Sequence, residues 1–448
     1  MDHEGVSEQV ADGWKIAAMA ALSRCVEGVR SRGASPEGLE AIAIDGTSGS
    51  IVLLDSENRP LYPGLMHNDT RSVEEAAHLN DFLAGHCAQV GYRFGPTFAL
   101  SKLLWMKRHQ PRIFERARRV AHQADFIVGE LTGRFDISDP SNSLKTGYNL
   151  VTGAWPGEMR DLGVSHLLPQ VVPSGSLVAE VSASIASDLG IPPATQVLAG
   201  VTDSTAAFLA TGAMKPGEFS VSLGTTMAFK GVSESLVHDP AGVVYCHRHP
   251  GKNWLPGGAS NVGGACLKAL FRGRDLGQLD RAAQERFPTQ TLCYPLVEVG
   301  ERFPFNAPLA DGFFDEPIDE TDQFLSLLQG VALVEKWCLE RFARLGINIR
   351  PPLYTAGQGS NSDVWNQVRA NISQISLARS RSTDSAFGVA VLAASTVFYG
   401  GDLEKAGKAM TGITTVFEPD SKFKDWSEEQ LGRLKQRCLE KGWITSLD

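Results

Sequence analysis

Two rhythms of apolar residues run through the chain. Trp14, Ala17, Ala18, Ala21, Leu22, Cys25, Val26 and Val29 recur at helical spacing, and Gly33-Ala34-Ser35-Pro36 breaks the run. Residues 39–44 (LEAIAI) form a short apolar block of buried-strand type that stops at Asp45-Gly46-Thr47-Ser48-Gly49. A second strand is predicted over 51–55. An extended segment over 61–66 then leads into His67-Asn68-Asp69-Thr70-Arg71. Residues 72–133 read as helical in pieces, with Leu103, Leu104, Trp105 and Met106 in one of them and Pro111 ending it. The polar stretch 136–148 reads as a loop, and 169–184 as a surface connection. Residues 196–200 read as a strand feeding Asp203.

The second half repeats the alternation. An apolar segment over 205–213 and a turn at Lys215-Pro216-Gly217 precede a strand over 218–223, which ends in Gly224-Thr225-Thr226. Gly257, Gly258, Gly263 and Gly264 fall within eight residues, which permits close approach of backbone, and a helix is predicted over 265–272. The clearest helix carries Phe324, Leu327, Leu328, Val331, Val334, Cys338 and Phe342 as a core stripe, with Thr321 as its expected N-cap and Gly346 as its stop. A strand over 353–355 runs into residues 356–362 (AGQGSNS) and a helix over 363–372. Residues 384–397 suit a closely packed small-residue helix, and 425–441 a charged amphipathic one. Strand-rich and helical segments alternating in two halves predict a two-domain α/β protein.

Composition narrows the class. At 448 residues the chain exceeds what one hydrophobic core usually organises. A net charge of −9 argues against nucleic acid or an anionic membrane as partner. The seven cysteines are scattered, odd in number and without a CxxC pair, which fits a reducing, cytoplasmic setting. Cys246-His247-Arg248-His249 is the one dense soft-ligand cluster, and no second ligand group follows at zinc spacing, so no metal site is assigned. No apolar run approaches a membrane span, and the acidic, polar opening is not a signal or transit peptide.

Candidate chemistry concentrates in residues 200–231. Asp203 follows a strand in a small-residue setting, and Gly224-Thr225-Thr226 ends the next strand, where free backbone N–H groups and hydroxyls can cradle phosphate. A candidate base and a candidate phosphate loop therefore lie about twenty residues apart. The plainer reading, a solvated acid and an ordinary turn, stands beside it.

Taken in order, GVTDS, SLGTT, GGASNVGG and AGQGS resemble the FGGY carbohydrate kinases of the actin–hexokinase–Hsp70 superfamily. AIAIDGTSGSIVLLD followed by LMHNDTR resembles that family's sugar-side region, in its ribulose/xylulose kinase-like branch. The resemblance implies two ribonuclease-H-like α/β domains. Residues 1–212 would be the sugar-binding N-terminal domain and 213–448 the ATP-binding C-terminal domain. It implies an ATP- and Mg²⁺-dependent kinase of a ketopentose, D-ribulose or D-xylulose. Asp203 would be the general base, with Asp45 and Ser48 also on the sugar. Gly224, Thr225 and Thr226 would hold the phosphates, and Gly357, Gly359 and Ser362 the adenosine. A small-molecule sugar is the implied partner, and a homodimer is compatible with the resemblance.

The chain departs from the family pattern twice. Gln358 stands where the adenosine loop usually has the middle of three glycines. The family also opens with a strand ending in Asp-x-Gly-Thr-Ser. Asp45-Gly46-Thr47-Ser48 follows a helix and precedes the sugar-side segment, so it is not read as that opening. The expectation is that the first strands of the N-terminal domain are missing, leaving the chain poorly stable and weakly active. A non-catalytic sugar- or nucleotide-binding relative is the alternative.

Overall fold

A computed structural model describes residues 5–447. The chain forms two compact units. The first comprises residues 1–210, 247–252 and 384–410, and the second 211–246, 253–383 and 411–448.

The first unit opens with the helix Ala11–Ser31 (α1). Its strands are β1 (Ala41–Gly46), β2 (Ile51–Leu54), β3 (Arg119–His122) and β4 (Gln196–Thr202). The helices among them include α2 (Ala99–His109) and α3 (Gln123–Thr132), and α4 (Asp203–Ala210) follows β4. These strands belong to two small sheets, beside a third in which Ile137–Ser138 pairs with Gln170–Val171. One orders Glu8–Gln9, Gly64–Leu65, β2 and β3; the other orders β1, β4 and Leu177–Glu180. β1 and β4 run parallel, Ala41 opposite Gln196 and Gly46 opposite Thr202. A Cβ on Gly200 would lie 1.7 Å from the Ile44 carbonyl oxygen, so only glycine lets the strands meet there. Trp14, Ile42, Val52, Leu54, Phe126, Leu131 and Val197 share one core, with Trp14 edge-on to Phe126 at 6.1 Å.

Two readings are corrected here. Residues 119–122 were expected inside a helical stretch and form a strand on β2. Ala117 is extended (ψ 141°) and stops the preceding helix, Pro111–Arg116, so the apolar rhythm does not continue through it. The polar stretch 136–148 is not a surface loop. It holds the strand Ile137–Ser138 and the short helix Pro140–Ser143. Asp139, Ser141, Asn142 and Ser143 are buried, because they bond one another: Ser141 and Asn142 donate to the Asp139 carboxylate from backbone and side chain.

In the second unit β5 (Phe219–Leu223) forms a hairpin with β6 (Met227–Gly231), and β7 (Trp254–Ser260) leads to α5 (Ala265–Leu270). The 25-residue α6 (Glu320–Arg344) is followed by β8 (Leu353–Ala356), α7 (Asp363–Ser373) and β9 (Leu377–Ser380). The chain then returns to the first unit as α8 (Ser385–Tyr399) before β10 (Ile413–Phe417) completes the sheet of the second. Spatial order there is β7-β6-β5-β8-β9-β10, with β5, β8 and β9 parallel. The expected stripe of α6 is buried throughout. Its N-cap is Asp319 rather than Thr321, because the Asp319 carboxylate accepts the Asp322 N–H and leaves Thr321 inside the first turn. Arg369 and Glu335, both fully buried, pair at 2.6 and 2.9 Å. Arg369 also donates to Thr355 at the end of β8 and to Asn366 in α7. This pair fixes where strand and helix meet.

α8 closes the first unit against α4. A Cβ on Gly388 would lie 1.7 Å from the Ala206 carbonyl oxygen, so the helices touch backbone to backbone. The small residues of 384–397 serve this contact, as their composition suggests.

Candidate active site

In the first unit the functional groups gather where β1 and β4 end. In parallel sheets the carboxyl ends of strands expose backbone groups and loops on one side, which is where ligands bind. Asp45 is the penultimate residue of β1, paired in register with Val201 of β4, and Asp203 begins the helix directly after β4. Both are half-buried. Asp203 accepts the Ser204 N–H at 2.6 Å. Burial raises the pKa of Asp45 and the Asp203 charge adds to this, while a hydrogen bond from the Ser385 side chain at the start of α8 opposes it. Two carboxylates and a hydroxyl from three distant segments thus meet in one unit.

The turn after β1 is held from several sides. Gln123 accepts from the Thr47 N–H at 3.0 Å and from the Thr47 hydroxyl at 2.7 Å. Lys145 donates to the Ser48 carbonyl at 3.3 Å. Lys102, fully buried, donates to the Gly49 carbonyl at 2.9 Å and to the Met66 carbonyl at 2.6 Å. Burial brings the Lys102 ammonium down to about 7. Gly49 has φ +90°, a conformation open mainly to glycine. The Ser48 hydroxyl is buried and has no protein partner, so it is poised for an outside one. Asp69 and Arg71 pair bidentately at 2.6–3.0 Å, and the Arg71 guanidinium lies 4.6 Å from the Trp105 ring centre. Both order the loop. His67 is exposed.

The second unit offers a different surface. Gly224, Thr225 and Thr226 form the β5–β6 turn, and Gly264 and Ala265 donate their N–H groups to the Gly224 and Thr225 carbonyls at 2.7 and 3.1 Å. A Cβ on Gly263 would lie 2.6 Å from the Thr225 oxygen, so the glycine pair before α5 lets backbone sit on backbone. A cavity of about 590 Å³ opens beside the turn, lined among others by Gly224, Thr225, Lys268, Asp280, Gly359 and Ser362. That volume suits a nucleotide-sized ligand. A Cβ on Gly224 would find its nearest atom 3.8 Å away, so the fold itself does not demand a glycine there. Gly357 (φ +81°) and Gly359 would each drive a Cβ into Leu223, at 2.6 and 2.5 Å. Gly357 and Thr226 shape the loops without lining the cavity.

Ser362 caps α7, accepting the Trp365 N–H at 2.9 Å and donating to Asp280 at 2.8 Å. Burial raises the Asp280 pKa against that hydrogen bond. Asp280, Lys145 and Ser385 were not singled out from sequence. Each belongs to a segment without a motif, and Ser385 reaches its neighbours only through the return of α8.

Residues 1–210 match the N-terminal domain of the FGGY family of carbohydrate kinases, and residues 219–397 its C-terminal domain. The chain belongs to the FGGY family of carbohydrate kinases. A xylulose kinase of Streptomyces coelicolor is 29% identical over 368 residues, 80% of this chain and 73% of its own length. A gluconokinase of Bacillus subtilis is 25% identical, covering 74% and 69%. The crystal structure of a "xyloylose kinase" from Brucella ovis superposes with a TM-score of 0.88 at 26% identity, over 97% of this chain and 90% of that one. The structure of a xylulose kinase from Rhodospirillum rubrum gives 0.87 at 24%, covering 98% and 91%. As an FGGY kinase the protein has the two-domain, actin/hexokinase-like α/β fold and is a phosphotransferase of carbohydrate metabolism. Among the described residues no single helix is long and apolar enough to cross a membrane, and no group of three or more His, Cys, Asp or Glu is placed to hold a metal ion.

Proposed function

We propose that the protein phosphorylates a ketopentose, D-ribulose or D-xylulose, with ATP as donor and Asp203 as general base. The observation that carries this is the meeting of Asp45, Asp203 and the unpartnered Ser48 hydroxyl at adjacent parallel strand ends. Polyhydroxylated neutral ligands need acceptors and hydroxyls of this kind. Xylulose kinases also recur among the relatives.

In the proposed reaction Asp203 takes the proton from one sugar hydroxyl. That oxygen bonds to the γ-phosphorus, the bond to the β-phosphate oxygen breaks, and ADP leaves. Such transfers depend on positioning and charge neutralisation more than on covalent chemistry. Gly224, Thr225 and Thr226 are assigned to the phosphates; Gly359, Ser362 and Asp280 are assigned to the nucleoside, with Gly357 holding their loop. The open space beside Gly224 fits a phosphate group brought close to the backbone. Mg²⁺ would arrive with the nucleotide, whose phosphates supply most of its ligands, and would neutralise charge there.

The test is a coupled ADP-release assay across ketopentoses, polyols and gluconate. The proposal expects D-ribulose or D-xylulose to give the highest kcat/KM. Preference for gluconate or glycerol would overturn the substrate, and turnover without any sugar would overturn the acceptor class.

A further inference from the structure

Lys145 stands outside every motif, yet it belongs to the segment that touches both strand ends of the first unit. The Thr202 N–H, one residue before Asp203, donates to the Ser141 hydroxyl at 2.8 Å. Four residues on, Lys145 Nζ donates to the Ser48 carbonyl at 3.3 Å. The residue after Lys145 is anchored in turn. His122 bonds the Thr146 hydroxyl through Nε2 at 2.7 Å and Asp125 through Nδ1 at 2.5 Å. Gly49 presses on the lysine stem, since a Cβ there would lie 3.2 Å from Lys145 Cδ, and the ammonium lies 5.5 Å from the Phe98 ring centre.

Resting on the assignment of Asp203 as base, we propose that Lys145 is a positioning residue that holds the Asp45–Gly49 turn toward the sugar. The charged groups facing this spot come from every neighbouring element. Asp203 of α4 attracts Lys145, the Asp203 charge disfavours the ionised form of Asp45 of β1, and Lys102 of α2 repels Lys145 while bonding the next carbonyl of the turn. Burial depresses the Lys145 pKa, and the Asp203 charge works against that loss.

Lys145→Met tests this on the full chain. The sugar KM should rise several-fold with kcat little changed, because the turn is released while the base stays. The sugar Kd, read by calorimetry without nucleotide, should rise to the same degree. Lys145→Arg should keep both near wild type, because it keeps a donor for the Ser48 carbonyl. A folded Lys145→Met protein with unchanged sugar KM and Kd overturns the inference. If Lys145→Met does not fold, Lys145→Arg decides, and a several-fold weaker sugar Kd there overturns it. Asp203→Asn is the separate arm. Full activity in that variant removes the base assignment itself, whatever Lys145 does.

Discussion

The two units build their candidate sites from opposite materials. In the first, side chains form the candidate site: Asp45, Ser48, Lys145, Asp203 and Ser385 come from four segments, and burial and neighbouring charge tune Asp45 and Lys145. In the second, backbone does: the β5–β6 turn and the start of α5 lie carbonyl to amide, and the glycines of the loop before α7 sit against Leu223 at the end of β5. A side-chain site can discriminate among hydroxyl patterns, because each group is separately placed. A backbone cradle recognises what any phosphate shares. The difference fits a kinase that varies its acceptor while keeping its donor.

The comparison can be broken most directly at Asp203. Asp203→Ala should lower kcat by about 10²–10⁴ while leaving the thermal midpoint near wild type, since a carboxylate base contributes on that scale. Near-full activity by steady-state kinetics would remove the first unit from the chemistry.

Stability should respond most in the second unit. Arg369→Met leaves Glu335 buried and alone, which should cost about 3–5 kcal/mol in urea unfolding. A loss under 1 kcal/mol would show that the ion pair does not hold the junction of β8 and α7.

The glycines of the cradle separate fold from function. Gly357→Ala should cost about 1–3 kcal/mol, because its φ of +81° and its contact with Leu223 both oppose a side chain. Gly224→Ala should stay within about 0.5 kcal/mol of wild type yet raise the nucleotide KM. Unchanged nucleotide KM in Gly224→Ala would mean that nothing approaches that turn.

The last effect is a slope. Lys102 titrates at about 7 when folded, against about 10.5 when unfolded. Between those values the unfolded chain binds the extra proton, so folding is favoured as pH rises and the penalty is fully present below pH 7. Wild type should gain up to about 1.4 kcal/mol per pH unit in that window relative to Lys102→Met. Parallel pH–stability curves for the two proteins would place the ammonium in solvent.

Much of this was legible in the chain. The strands ending at Asp45, Asp203 and Gly224, the loop of Gly357 and Gly359, and the stripe of α6 followed from apolar rhythm and glycine placement. What sequence did not yield is tertiary. Residues 119–122 (RVAH) lie between helices, and pairing with β2 alone makes them a strand. The polarity of 136–148 pointed outward, but Asp139 turns it inward by satisfying its own neighbours. Lys145 and Ser385 acquire their roles only from what folding sets beside them.

The contact of Gly388 with Ala206 also bears on how the protein is made. α8 packs on α4, which was synthesised about 180 residues earlier, Gly388 against Ala206. At roughly 5–20 residues per second the ribosome needs about 10–40 s to reach it. Through that interval the face of α4 that will receive α8 is uncovered on the nascent chain. The first unit is therefore the earlier begun and the later finished, and its assembly awaits translation through most of the second.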